Sequence, residues 1–446
     1  MKKRWLALTL AIIMALAFVA ACGDSGTAPP APATDAPPAA TGSPAAPPPD
    51  APPPPAPADR PADFDTRTEI VVGAARPHSG RFQSFEDSGF GVFYQRWVDD
   101  VNARGGLYVA EYERQLPIRL IRYDDTSDMA TMLMLTDRLM FEDQVDILLP
   151  TCSSGFIAAQ AEVANANGFF LFSAEGGASE IVKNYQDFPY FFVTNSHSAH
   201  QVPALVELFQ ANNITTAFVV HLNDQHGMEY LDAVNELFPP AGIEILQVMS
   251  IAADQPDYTP IIQAAMASGA QAYLQFAYQG QNYPAIETMI ALNYNPEFLL
   301  FSVGVSREEI IEVFAPNGHE IANGIFSWSV WARDSHPATR EFYDNWRRDN
   351  PGMILDFWTH LQYDIIFDIL EEVIIAVGSL DNTKIAEYLN SGVRFETRVG
   401  PMWYENNSVA REAYLGNIGQ WQDGEWQLID GSGKTADPII PKPPWP

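Results

Sequence analysis

From residue 69 onward, short runs of β-branched, aliphatic and aromatic residues alternate with longer stretches whose apolar positions recur every three or four residues. The short runs at 69–73, 118–123, 145–149 and 169–172 predict buried strands. The stretches between them, 91–101, 129–141 and 156–166, predict amphipathic helices. An order of β-α-β-α-β-α-β makes the strands parallel, because each helix carries the chain back to the same end of the sheet. The alternation then restarts, with strands at 217–221, 244–248, 272–276 and 298–301 and helices at 229–238, 258–268 and 283–291. Two such series predict an α/β fold of two doubly wound, Rossmann-like lobes, although no residue-level repeat links them. A long helical segment at 356–377 follows, and Gln422-Asp423-Gly424-Glu425 punctuates a hairpin near the end.

Upstream of residue 67 this pattern is missing. Residues 23–66 are mostly Ala, Pro, Thr, Ser and Asp, as in Ala51-Pro52-Pro53-Pro54-Pro55-Ala56-Pro57. Such a segment buries too little apolar surface to offset its ordering entropy, and proline biases it toward extended polyproline II. At ~3.1 Å per residue it would reach on the order of 100 Å, a semi-rigid linker. Ahead of it, Lys2, Lys3 and Arg4 precede an apolar run from Trp5 to Val19, and Val19-Ala20-Ala21-Cys22 matches the lipobox of a bacterial lipoprotein. The run is short for a membrane span of about 20 residues. Residues 1–22 therefore read as a signal peptide, with Cys22 lipidated as the new N-terminus. The expected product is exported and tethered through Cys22 to a lipid bilayer, facing the periplasm or the cell exterior. The Pro-rich tail, 438–446, reads as an exposed arm.

Composition narrows the function. Fifty-six Asp and Glu against 25 Lys and Arg give a net charge of -31, which argues against nucleic-acid binding and reads as a solvated acidic surface. Cys152 is the one cysteine besides Cys22, so a lipidated Cys22 leaves no intramolecular disulfide. The fold must hold by its core, for which the roughly 380 residues beyond the linker suffice. Catalytic signatures are poor. Gly431-Ser432-Gly433-Lys434-Thr435 lacks the first glycine of a P-loop, Leu428 standing in its place. No G-x-S-x-G or H-E-x-x-H pattern is present. His197 and His200 read as polar loop residues, and Cys152 as a small turn residue. No catalytic residue, metal or cofactor is expected.

Ligands of open α/β sheets bind beyond the carboxyl ends of the strands. There the chain carries Pro77-His78-Ser79-Gly80 and Thr151-Cys152-Ser153-Ser154-Gly155, hydroxyl-bearing turns leading into helices, where free N–H groups can hold a carboxylate. The series Ile70-Val71-Val72-Gly73, His78-Ser79-Gly80, Val101-Asn102-Ala103-Arg104-Gly105-Gly106, Tyr123-Asp124-Asp125-Thr126-Ser127-Asp128, Cys152-Ser153-Ser154 and Phe172-Ser173-Ala174 resembles the leucine/isoleucine/valine-binding protein family. These are type I periplasmic binding proteins that feed ATP-binding-cassette importers. The resemblance runs from about residue 69 to 426. It implies a clamshell with three hinge crossings, placed near 195–198, 328–333 and 400–403. The first lobe would then comprise 67–195 plus about 332–400, and the second 196–331 plus about 401–437. It also implies a monomer that captures an amino acid or related small polar compound by closing, and then meets permease subunits in the membrane. The same fold serves as a ligand-sensing receptor module.

Carried over by position, the resemblance makes Ser153 the serine that binds the ligand carboxylate, with Ser154 beside it and Ser79 and Gly80 on the entry loop. Phe85 stands where the family often has a tryptophan over the ligand, His226 where a tyrosine often sits, and Tyr278 at a contacting tyrosine of the second lobe. The departures are informative. Val303 replaces the glutamate that pairs with an ammonium, Glu175-Gly176-Gly177 stands where an Ala-Thr pair is expected, and Ser198 replaces an acidic residue near the first crossing. The usual ammonium site thus lacks its charge. Glu175 either supplies a replacement or sits in a solvated loop, and an amide, urea-like compound or aromatic acid becomes an alternative cargo. Ser127 replaces the cysteine that pairs with the Cys152 equivalent in some relatives, which leaves a free thiol.

Overall fold

The computed structural model describes residues 60–176, 179–398, 400–429 and 438–446. Cys22, the signal-peptide segment, most of the linker, Gly177 and the P-loop-like run at 431–435 lie outside the described residues. The first strand, Ile70–Arg76 (β1), is buried along its whole length and has parallel neighbours on both sides. These are Ile118–Asp124 (β2) and Ile147–Leu149 (β3), followed outward by Leu171–Ser173 (β4) and Phe191–Val193 (β5), in the spatial order β2-β1-β3-β4-β5. Between them run Gly91–Ala103 (α1), Met129–Phe141 (α2) and Ser154–Ala166 (α3). Helix α2 starts where the apolar periodicity predicts, since the Asp128 carboxylate accepts a bond from Thr131 N at 2.9 Å.

The second sheet repeats that order. Thr216–Leu222 (β6), Glu244–Ile251 (β7), Ala272–Phe276 (β8), Phe298–Phe301 (β9) and Phe326–Trp328 (β10) are arranged β7-β6-β8-β9-β10. Its helices include Ser198–Ala211 (α4), Gln225–Leu237 (α5), Thr259–Ser268 (α6) and Gln279–Leu292 (α7). The two lobes therefore share a topology that their residues do not repeat. In each, the strand order reverses between the first and third strand, which opens a crevice at the carboxyl ends.

The chain passes from the first sheet to the second after β5, and comes back through Pro337–Asp349 (α8) and His360–Val377 (α9), which pack on α1. Trp346 stacks on Phe93 at 4.6 Å and Phe367 on Trp97 at 4.7 Å. Helix α9 starts four residues later than the periodicity suggests, because the Asp356 carboxylate accepts bonds from Trp358 N and Thr359 Oγ1 and folds 356–359 into a turn. The third passage also differs from expectation. Tyr404–Glu405 (β11) and Ser408–Val409 (β12) extend the first sheet beyond β5, so the boundary expected at 401 moves to between Val409 and Ile418. The edge of β5 has backbone groups to satisfy, and Val193 N donates to Asn407 O at 2.9 Å. Ile418–Gln422 (β13) and Glu425–Ile429 (β14) then join the second sheet as a hairpin, with Asp423 and Gly424 at φ 50° and 85° as a two-residue turn of this kind requires.

Both ends of the described chain are more ordered than their composition suggests. Phe64 stacks on Tyr112 at 6.5 Å and its carbonyl accepts from Arg114 Nη2, so the linker boundary at 66 falls inside packed structure. The tail is not an exposed arm. Proline lacks an N–H but keeps its carbonyl, and side-chain amides answer the tail's carbonyls: Gln420 Nε2 donates to Ile440 O and Asn295 Nδ2 to Lys442 O. Trp445 is buried and donates to Tyr294 O at 2.6 Å.

Helix α5 sits so close to β6 that position 227 must be glycine. A Cβ there would lie 2.0 Å from the Leu222 carbonyl oxygen, a backbone atom that cannot yield cheaply. Gly227→Ala is expected to lower unfolding free energy by about 1–3 kcal/mol in urea titration. A loss too small to measure would refute that packing.

Candidate functional site

Strand β1 ends on a buried charge. Arg76, fully buried, donates from Nε to Glu86 Oε2 at 2.7 Å and from Nη1 to Glu175 Oε2 at 3.0 Å. Its Nη1 also donates to the carbonyls of Pro150 and Thr151, at 3.1 and 2.8 Å. Burial alone would lower its pKa, but Glu175 and Glu86 outweigh that and hold the guanidinium well above its ordinary value. One side chain thus ties together the loops after β1, β3 and β4, the rim where a ligand would sit.

On that rim Ser153 adopts φ 70°, ψ 149°, a region non-glycine residues rarely occupy, and its hydroxyl makes no capping bond. It precedes α3, whose first-turn amides lack partners within the helix. Gly176 packs against this turn at φ 56°, and a Cβ on it would come within 3.0 Å of Ser154 N. Ser154 Oγ donates across the cleft to Glu229 Oε1 of α5 at 3.0 Å. Its proton is therefore committed, and toward a ligand the hydroxyl offers only lone pairs.

The second lobe supplies the facing wall. His226 Nε2 bonds Ser302 Oγ at 3.0 Å, and burial pushes its pKa down to about 4, so the ring is neutral. Tyr278 stacks on His226 at 5.0 Å and meets Phe82 and Phe85 of the first lobe edge-on at 5.6 and 6.3 Å. Burial holds its phenol well above the usual range.

These groups enclose a cavity with about 410 Å3 of space not filled by atoms. Of the residues expected from sequence, Phe85, Ser153, Ser154, Gly176, His226, Tyr278 and Val303 line it. Others lie elsewhere. Ser79 turns away, its N and Oγ bonded to the Asp124 carboxylate at 3.1 and 2.8 Å, and Gly80 follows it against the Thr126 carbonyl. Ser198 is buried in the first turn of α4 and shares a 2.8 Å bond with Ser179 Oγ. Glu175 does line the cavity, but it is no free partner for an ammonium, since Arg76 and the Tyr363 hydroxyl already occupy its carboxylate. Cys152 is a free, buried thiol whose pKa burial raises, which keeps it protonated and inert.

Sequence reasoning missed Asn195, Asp356, Trp358 and Thr359, which complete the lining. Asp356 Oδ1 accepts from Trp358 N at 2.7 Å and Ser306 Oγ at 3.2 Å, and Oδ2 from Thr359 Oγ1 at 3.1 Å. A carboxylate has about four acceptor positions, so one on Oδ2 remains for a further donor. Arg76 was missed too, although an arginine ending an apolar strand was its visible signal.

Two doubly wound lobes that meet over a cavity lined from both sides have the architecture of a clamshell binding protein. The periplasmic binding protein model matches residues 69–425, and the chain belongs to that family, of the type I, branched-chain amino acid-binding kind. Among solved structures, the fold resembles an ABC transporter solute-binding protein from Rhodopseudomonas palustris BisB5 in complex with 3,4-dihydroxybenzoic acid. The TM-score is 0.67 at 17% identity, over 82% of this chain and 99% of that one. It also resembles a branched-chain amino acid ABC transporter ligand-binding protein from Burkholderia xenovorans LB400, with TM-score 0.65 at 14% identity over 81% and 94%. Residues of this chain are 28% identical over 180 positions to gamma-aminobutyric acid type B receptor subunit 1 of Mus musculus. That match spans 40% of this chain and 18% of the receptor's length.

Proposed function

We propose that this chain is the extracytoplasmic capture component of an ATP-binding-cassette importer, tethered through Cys22, and that it holds an amino acid or a close zwitterionic analogue. The observation carrying this reading is the coexistence, in one cavity, of an anion-accepting turn at Ser153 and a carboxylate with an open acceptor position at Asp356. Val303 leaves the usual ammonium partner absent, and Asp356 reaches the cavity from another segment to take that role. Phe85, Tyr278 and Trp358 suit an apolar or aromatic ligand body. The branched-chain amino acid protein and the gamma-aminobutyric acid receptor among the relatives accord with a zwitterion. A second reading, an aromatic acid without an amine, is favoured by the apolar Val303 and by relatives solved with benzoate and dihydroxybenzoate.

Calorimetry of the full chain with leucine, phenylalanine, 4-aminobutyrate and benzoate separates the two. Asp356→Asn is expected to weaken zwitterion binding about 10- to 100-fold, the worth of one charge-assisted bond, and to leave benzoate unaffected. Binding of benzoate with no response to any amino acid would decide for the second reading.

A further inference from the structure

Every polar side chain between β5 and α4 has a partner except one. Thr194 Oγ1 pairs with Tyr404 OH at 2.8 Å, Ser196 Oγ accepts from Gln201 Nε2 at 2.8 Å, and His197 Nε2 pairs with Ser408 Oγ at 3.1 Å. Asn195 stands among them at 0% exposure, lines the interlobe cavity, and has no hydrogen-bonding partner for either Oδ1 or Nδ2. Among the described residues it is the one side chain with both its polar atoms buried and unanswered. A buried amide in that condition is costly, and buried polar groups without partners are rare enough to call for a reason.

We propose that Asn195 determines the specificity of the cavity, selecting ligands whose head group carries an N–H donor beside an oxygen acceptor, as an amino acid or a carboxamide does. This rests on the reading that the interlobe cavity is the ligand site. The carboxamide offers two N–H donors and an oxygen with two lone pairs, fixed side by side in one plane. A bare carboxylate can take bonds from Nδ2 but leaves Oδ1 facing an acceptor, still unpaired and now further from water. A head group with both functions answers both atoms. Sites built to bond a ligand N–H or O–H discriminate strongly against analogues that lack it, because the site's own polar atoms are then left unpaired. The position reinforces the choice. Asn195 lies on the first crossing between the sheets, between neighbours whose side chains each have a partner, so its amide has little freedom to turn toward other partners.

The test uses two variants of the full chain, with leucine, benzamide and benzoate as probes. Asn195→Leu keeps the volume and removes both polar atoms. The expected result is a ligand-free protein at least as heat-stable as the parent, with leucine and benzamide weakened 100-fold or more and benzoate tenfold or less. An N195L protein that binds leucine and benzamide within threefold of the parent overturns the proposal. So does one that melts several degrees lower with unchanged affinity, the behaviour of a structural amide. Should N195L not fold, Asn195→Asp keeps the shape and an acceptor but loses the donors. Its expected result is a loss of at least tenfold for leucine, and unchanged leucine affinity overturns the proposal. A parent chain that binds none of the probes defeats the underlying reading of the cavity instead, a result distinguishable from both.

Discussion

An Arg76→Met variant is expected to lose about 3–5 kcal/mol of unfolding free energy, the scale for removing one partner from a buried ion pair. Methionine matches much of the arginine stem, so the loss falls on the charge and its bonds. Glu86 and Glu175, at 2% and 4% exposure, would be left as carboxylates in the interior without their common cation. Arg122 stays 3.9 Å from Glu86 and Tyr94 OH still donates to that residue, but Glu175 keeps only neutral side-chain partners among the described residues, the Tyr363 hydroxyl and the Cys152 thiol. The Pro150 and Thr151 carbonyls lose their donor as well. Urea unfolding measures the effect, and a second variant isolates its cause. Arg76→Met combined with Glu175→Gln removes one of the stranded charges and should recover part of the loss, because residues in one network couple rather than add. A single variant within about 1 kcal/mol of the parent would mean that the triad contributes little net stability. Ligand affinity should fall in parallel, since the same guanidinium aligns the loops carrying Ser153 and Gly176.

The difference between what the chain's pattern revealed and what it hid follows from range. Helix α2 was legible to its ends because its cap, Asp128, adjoins its first apolar turn, and β8 and β9 because a fully buried parallel strand reads as an unbroken apolar run. Ser153 was legible because a hydroxyl-rich turn after a strand is itself a local signal. Strands β11 and β12 were not, since β12, two residues long, becomes a strand only by pairing with β5 more than 200 positions earlier, and β11 only by pairing with β12. Asn195 and Asp356 belong to the same class. Neither sits in a recognisable motif: Asn195 reaches the cavity where the chain crosses between the lobes, and Asp356 from the turn that precedes α9. The tail was misread because composition describes a free segment, whereas Trp445 and the Ile440 and Lys442 carbonyls find partners on the second lobe. The same turn signal and family position put Ser79 and Gly80 in the site, and the local competitor that won was the Asp124 carboxylate.

Ligand affinity is expected to tighten on the order of 100-fold as the pH falls from 8 to 5, through a carboxyl group that the ligand need not touch. Glu229 belongs to α5 of the second lobe, yet Oε1 accepts from Ser154 Oγ and Oε2 from Ser179 N, both of the first lobe, at 3.0 and 3.1 Å. The bridge exists only while the lobes are together. Burial, partly offset by those two bonds, pushes the carboxyl up to about 7 in this arrangement. No cation faces it. From α5 itself come His226, whose Nδ1 is 3.8 Å away on a ring kept neutral by burial, and Tyr230, also kept neutral by burial. Asp224, at the cap of α5, pushes the pKa further up, Tyr278 of the second lobe is neutral, and the described residues of the first lobe that bond it are Ser154 and Ser179. When the lobes part, Glu229 meets water and returns to an ordinary value of about 4.3. Closure therefore raises the pKa, and between about 4.3 and 7 the closed form holds more protons than the open one. Acidification across that window favours closure by up to about tenfold per pH unit, with no dependence above or below it. A zwitterionic ligand keeps its charges throughout, so the profile reports the protein. Calorimetric titrations at pH 5, 6, 7 and 8 should show the slope in the parent and a flat line in Glu229→Gln, whose amide keeps the volume and an acceptor for Ser154. A parent whose affinity changes less than twofold over that range would show that closure leaves the carboxyl in contact with water.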